Sequence, residues 1–240
     1  MTGLRYVYAV CHPFGAPLQA QLTGVAGDPP RVLTHHGLIA VVSHVPERDF
    51  AEEPLRRRLE DLDWLTGTAR AHESVIDALT VVTTPLPLRL ATVFRDDSGV
   101  RVMLEAREDE FRRTLERLEG RVEWGVKVYA ETEPEESGAP AHMWQQTEEF
   151  ANLLHAALSA YADDSRLHAP QNPALSGATG RNLLNAAYLV PRGDSAEFVE
   201  LIDRTKEETQ AVSPGMRVEL TGPWAAYSFA GDAGDTGVAT

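Results

Sequence analysis

Few residue pairs in this 240-residue chain have the types and spacing to do chemistry. Cys11-His12 is the first, because a thiolate beside an imidazole can be activated as a nucleophile. Neighbours on a strand point to opposite faces, however, so a strand-end cysteine and a loop histidine is the preferred reading. His35-His36 supplies at most two metal ligands, and no third is marked by spacing. His72 sits on the apolar stripe of a helix, where a hydrogen-bonded, partly buried histidine explains it better than a catalytic one. Glu108-Asp109-Glu110 places carboxylates at a helix start, where they favour the helix dipole. Gly177-Ala178-Thr179-Gly180-Arg181-Asn182 follows a loop and lacks the P-loop lysine, so it reads as a turn. There is no HExxH and no phosphate-cradling glycine loop. Nothing converges on catalysis, and neither a metal nor a cofactor is expected.

Residues suited to binding are easier to find. Arg89 follows Pro85-Leu86-Pro87-Leu88, a rigid stretch that would hold its guanidinium in place for a carboxylate or carbonyls. Trp124 and Trp224 each offer a large apolar face and one donor. Core packing is favoured for Trp124, which lies on an alternating face. Trp224, in a Gly-Pro turn with Tyr227 and Phe229 close behind, is open between packing and contact.

The elements that must position these residues can be read from periodicity. Leu4 to Val10 and Gly37 to Val45 are apolar, branched or aromatic runs and read as strands. The stretch between them is broken by prolines and glycines and reads as loop. Leu55, Leu59, Leu62, Leu65, Ala69, His72, Ile76 and Leu79 recur at helical steps and form one stripe, which Pro85-Leu86-Pro87 ends. Phe111, Leu115 and Leu118 mark a further helix, stopped by Gly120. Val122, Trp124, Val126 and Val128 alternate, which predicts a strand with one buried face. Later, Phe150, Leu154, Leu158 and Tyr161 predict a helix, Asn185 to Val190 a strand, and Asp194 with Glu197 a capped helix carrying Phe198, Leu201 and Ile202. Met216, Val218 and Leu220 predict a last strand. The order is that of an α+β protein in two domains. The first, residues 1–130, is expected to be a ferredoxin-like sheet backed by helices. An acidic Pro/Gly linker is expected over 131–143, a smaller α+β domain over 144–230, also a candidate for a ferredoxin-like fold, and a frayed tail over 231–240.

Composition narrows the class further. A net charge of −14 argues against a nucleic-acid partner. Residues 1–130 carry 16 Lys+Arg against 19 Asp+Glu, and residues 131–240 carry 6 against 17. The second half is therefore the more acidic, as a separate partner surface or simply a solvated one. No apolar run is long enough to span a membrane, the N-terminus lacks signal-peptide character, and one cysteine excludes an internal disulfide. A cytoplasmic protein is expected.

Five segments, in order, carry a resemblance. The strands Tyr6-Val7-Tyr8-Ala9-Val10 and Gly37 to Ser43 are similar to the opening strands of the gas vesicle protein F/L family. Pro87-Leu88-Arg89-Leu90-Ala91-Thr92-Val93-Phe94, following His72, resembles that family's PLRFGTVF, with Leu90 and Ala91 where Phe and Gly are usual. Glu123-Trp124-Gly125-Val126-Lys127-Val128 matches its EWGVKV. Gly222-Pro223-Trp224-Ala225-Ala226-Tyr227-Ser228-Phe229 resembles GPWPPYSF, with alanines for two prolines. The resemblance implies a non-enzymatic accessory protein of the gas vesicle. It would bind the small hydrophobic shell-forming subunit (GvpA-like), prevent its aggregation and assist nucleation, with other accessory proteins as further partners. Arg89, Trp124, Trp224, Tyr227 and Phe229 are the candidate partner-binding residues. The rival reading is a small-molecule-binding or enzymatic ferredoxin-like domain with a pocket near His72 and Arg89.

Overall fold

The computed structural model describes residues 3–18, 21–130, 141–170, 180–212 and 216–231. The chain divides into two units: residues up to Glu119 together with those from Ala225 onward, and Gly120–Trp224.

The first unit is built around β1 (Leu4–Cys11), whose last six residues are all buried. The run of apolar and aromatic residues is continuous rather than alternating because the strand has neighbours on both edges and cover on both faces. The hairpin of β2 (Arg31–His35) and β3 (Leu38–Val45) lies on one side of it. His36 and Gly37 turn that hairpin with φ of 48° and 71°, the left-handed pair that a two-residue turn requires. On the other side β1 pairs antiparallel with the two-residue strands β4 (Leu86–Pro87) and β5 (Val93–Phe94). The sheet order is β2-β3-β1-β4, with β5 also on β1. That is the ferredoxin-like order, but in place of the first crossover helix the described residues between β1 and β2 form a loop holding a short 3₁₀ turn at Val25–Gly27.

The helical stripe expected from Leu55 onward is interrupted. After the short α1 (Glu47–Phe50), it is divided between α2 (Glu52–Arg58) and α3 (Leu62–Thr80). Asp61 caps α3 by accepting from the Trp64 amide at 3.1 Å. Across this break the stripe loses its face, leaving Leu59 41% and Leu62 76% exposed, while Val75, Ile76 and Leu79 face the core. After β5 come α4 (Asp97–Ala106) and α5 (Glu108–Leu118). Asp97 anchors α4 by accepting from Arg5 of β1 at 2.5 Å and Arg31 of β2 at 2.6 Å. The Arg31 bond, followed by that of Arg5, holds its carboxyl below the usual range.

The second unit runs β6 (Arg121–Ala130), α6 (Ala141–Tyr161), β7 (Asp164–Leu167), β8 (Arg181–Pro191), α7 (Ser195–Val212) and β9 (Met216–Trp224). Its sheet order, β7-β8-β6-β9, with this β-α-β-β-α-β sequence is the ferredoxin-like topology in full. β6 was expected to close the first domain at residue 130. Instead it lies inside the second sheet, paired antiparallel to β8 and β9 along most of its length. Its apolar face needs the cover that α6 and α7 supply, so the division falls between Glu119 and Gly120. The end of the expected second domain, from Ala225, likewise belongs to the first unit. Most of the expected linker, residues 131–140, and the tail beyond Gly231 lie outside the described residues; 141–143 are helical. Counted by these units, the charge is 14 Lys+Arg against 20 Asp+Glu in the first and 8 against 16 in the second. The nets, −6 and −8, are nearly equal, and the expected asymmetry disappears because β6 belongs to the second unit and the acidic C-terminal residues to the first.

Candidate functional site

Tyr6 and Tyr8, two apart on β1, point to one face. Their rings lie 4.9 Å apart, and the His72 ring from α3 sits 5.7 Å from Tyr6 and 5.5 Å from Tyr8. The Tyr6 hydroxyl lies 2.9 Å from His72 Nδ1 and accepts from the Ala91 amide at 3.1 Å. With the Ala91 amide donating to the phenol oxygen, the Tyr6 O–H donates to His72 Nδ1. His72 is 3% exposed, and burial pushes its pKa down to about 4, so the ring is neutral at physiological pH. Burial likewise raises the pKa of the Tyr6 phenol. This bond ties three distant pieces of chain, β1, α3 and the turn at Ala91, into one rigid aromatic base.

Ala91 holds φ of 63°, a conformation that costs an L-residue about 1–2 kcal/mol relative to glycine. The greater freedom glycine has when unfolded offsets part of that gain. Ala91→Gly is therefore expected to raise stability by up to about 1 kcal/mol, read as a higher urea midpoint at unchanged slope.

Tyr8 reaches a second network that no sequence pattern revealed. Its hydroxyl donates to Ser43 Oγ at 3.0 Å and accepts from the Val25 amide at 2.7 Å. Ser43 donates to the Asp28 carbonyl at 3.0 Å, and the Asp28 carboxylate takes the His44 amide at 2.9 Å. Gly24 makes this possible: a Cβ there would lie 2.3 Å from the Tyr8 hydroxyl and 2.7 Å from the Asp28 carbonyl. The loop replacing a crossover helix is thus pinned to β1 and β3. The only sequence signal was the pair of tyrosines at i and i+2.

The returning segment adds Tyr227 and Phe229, carried on a 3₁₀ turn. Phe229 is fully buried and Tyr227 is 42% exposed, its ring 6.4 Å from His72. Arg117 of α5 donates to the Phe229 carbonyl at 2.5 Å. Ala225 and Ala226 are also buried. Arg89 is exposed, while its carbonyl accepts from the Thr92 amide at 3.2 Å and hydroxyl at 2.7 Å, which shapes the turn beyond β4. Leu88 donates to the Tyr8 carbonyl at 2.8 Å.

In the second unit Trp124 is buried in the core, its ring 6.3 Å from Phe198 and its Nε1 donating to Ser195 Oγ at 3.3 Å. Gly222, at φ of 124°, lies flat on β6; a Cβ would sit 2.8 Å from the Glu123 carbonyl and 3.0 Å from the Trp124 ring. Trp224, two residues on, is 38% exposed. A second tyrosine–histidine pair, unforeseen from sequence, joins the buried Tyr188 of β8 to the half-buried His155 of α6 at 2.8 Å. Of the five candidate contact residues, then, Trp124 and Phe229 are core residues, because each ring is enclosed by its own unit. Arg89, Trp224 and Tyr227 remain at the surface.

The remaining chemical candidates have structural partners. Cys11 is buried and its thiol pKa is pushed up to about 12, which removes the thiolate that nucleophilic attack needs. His35 and His36 stack at 4.2 Å. His36 lies 3.0 Å from Glu108, which also accepts from Arg112 at 2.9 Å, tying the hairpin tip to α5. Among the described residues no group of three or more His, Cys, Asp or Glu is placed to hold a metal ion, and no helix is long and apolar enough to cross a membrane.

Two ferredoxin-like units, with polar groups used to brace aromatic cores and single aromatic residues left at the surface, define a mixed α+β protein of two antiparallel sheets. The profile described as "Gas vesicle synthesis protein GvpL/GvpF" matches residues 4–141 and 137–231. The chain belongs to this gas vesicle protein family. It is 52% identical to gas vesicle protein L of Streptomyces sp. (strain CB03234), over 95% of this chain and 93% of that one. It is 27% identical to gas vesicle protein F of the same strain, over 93% and 98%. The crystal structure of GvpF from Anabaena sp. PCC7120 has the same fold, with a TM-score of 0.72 at 19% identity over 95% of this chain and 96% of that one. GvpF from Microcystis aeruginosa superposes with a TM-score of 0.69 at 18% identity, over 96% and 99%.

Proposed function

We propose that this protein acts by binding, covering the apolar surface of the small shell-forming subunit of the gas vesicle (GvpA-like), preventing its aggregation and assisting vesicle nucleation. A subunit with an exposed apolar face needs a partner with an aromatic one. The observation that carries this reading is Tyr227, a large ring left 42% exposed on a base that is itself buried and hydrogen-bonded. Aromatic side chains held rigidly give contact area at low entropic cost, the character of an interface anchor. Leu62 and Val81, 76% and 77% exposed, add apolar surface to the same unit. Arg89 offers a charged group for the subunit's polar rim. With the charge divided almost equally, both units contribute to keeping the complex in solution.

Co-expression of the full chain with the shell-forming subunit tests this directly. The subunit is expected in the soluble fraction and to co-purify. Tyr227→Ser is expected to reduce retention several-fold while leaving the melting temperature within a few degrees. Loss of the subunit to the pellet, with both proteins expressed and this one folded, would sink the reading.

A further inference from the structure

An exposed strand edge presents unpaired N–H and C=O groups to any strand able to add to it, and natural sheets keep such edges short or guarded. Three of the four edges follow that rule. β4 has two residues and β7 has four. β2 has five, with Arg31 held by Asp97 and His35 facing Glu105 at 3.8 Å. β9 does not follow it. It runs nine residues, pairs with β6 on one side, and among the described residues has no strand on the other.

The first five residues of that edge, Met216-Arg217-Val218-Glu219-Leu220, are self-complementary about Val218. We propose that β9 pairs antiparallel with β9 of a second copy across a two-fold axis at Val218, joining two four-stranded sheets into one of eight. In that register Val218 meets its own counterpart, Met216 meets Leu220 of the second copy, and each Arg217 meets Glu219 of the other chain. An isologous interface must satisfy i-to-j and j-to-i together, and this sequence does so on both faces.

The packing supports each face separately. Met216 is buried in the core of the second unit, whereas Val218 and Leu220 lie at its margin, only half-buried. A second copy would extend that core past the edge. On the opposite face Arg217 lies 4.6 Å over the Tyr129 ring and pairs with Glu219 of its own strand. The two-fold gives each of these charges a second partner of opposite sign, the cross-strand arrangement that stabilises antiparallel pairs. At the far end Gly222, Pro223 and the shift in the β6–β9 register between Glu123 and Gly125 stop a regular ladder. The paired length is therefore short, and the association depends on concentration.

Sedimentation of the full chain over a concentration series is the test. The weight-average mass is expected to rise from 26.3 kDa toward twice that value. Arg217→Glu and Glu219→Arg, each placing like charges opposite one another twice, are expected to move the midpoint roughly tenfold higher. The double exchange R217E/E219R restores the complementary pattern and is expected to return the midpoint to the original value. Its recovery also shows that neither single change acted by unfolding the strand. A chain that stays monomeric throughout overturns the proposal. So does self-association that the single variants leave unchanged, since the contact would then lie elsewhere.

Discussion

Replacing Phe229 by alanine is expected to destabilise the protein by about 3–5 kcal/mol, the range for removing a buried aromatic ring. The ring is fully buried in the first unit, whereas the neighbouring Ala225, Ala226 and Ala230 are small, and Arg117 holds the Phe229 carbonyl. With the ring gone, the remaining alanines bury little area, and the turn that presents Tyr227 loses its footing. Tyr227→Ala, two residues away, is expected to cost less than about 1 kcal/mol because its ring is already partly in water. Urea denaturation of both variants separates the roles. Equal losses would show that Phe229 does not anchor the segment. A large loss at Phe229 and a small one at Tyr227 would confirm a buried anchor beneath an exposed contact residue. Binding defects at Tyr227 could then be read as contact energy rather than unfolding.

The second large effect is a loss of stability in mild acid, traced to His72. Its folded pKa of about 4 lies below the ordinary 6.5, because burial penalises the charged ring. Between these values the unfolded chain binds a proton that the folded chain refuses. Stability is therefore fully present above about pH 6.5 and falls as the pH drops toward 4, by about 3 kcal/mol in total. Carboxylates with lowered pKa, such as Asp97 and Asp49, act in the same direction at lower pH: their stabilisation is lost only as pH falls below the ordinary carboxylate value. His72→Gln keeps an acceptor for Tyr6 but cannot titrate, so its stability should be nearly flat from pH 6.5 to 4.5. Wild type and variant falling with the same slope would assign the acid sensitivity to another group.

Much of the architecture was legible because its signals are local. Val122, Trp124, Val126 and Val128 declared a strand by alternation, and the strand is there. Alternation does not say which sheet receives the strand, and β6 joined the second unit because β8, β9 and the two helices there cover it. Leu55, Leu59 and Leu62 fit one helical stripe on paper, yet a two-residue break between α2 and the Asp61 cap leaves Leu59 and Leu62 in solvent. β2 was read as loop since only five residues, flanked by a proline pair and a left-handed turn, carry it. Ala91 stands where the resembled family usually has glycine, and its positive φ is the physical content of that departure.

The candidate site divides the same way. Residue types and order were enough to mark Arg89, the Gly-Pro-Trp segment and the closing aromatics, and the resemblance to the family to which they belong. By itself the sequence determined most of the element types and the aromatic segments worth watching, because these depend on neighbours a few residues apart. Only the tertiary structure decided that Phe229 is inside while Tyr227 is outside, that His72 meets Tyr6 across 66 residues, and that Gly24 clears space for the Tyr8 hydroxyl. Those outcomes rest on burial and hydrogen bonding between segments far apart in the chain, and no local periodicity encodes which of them will meet.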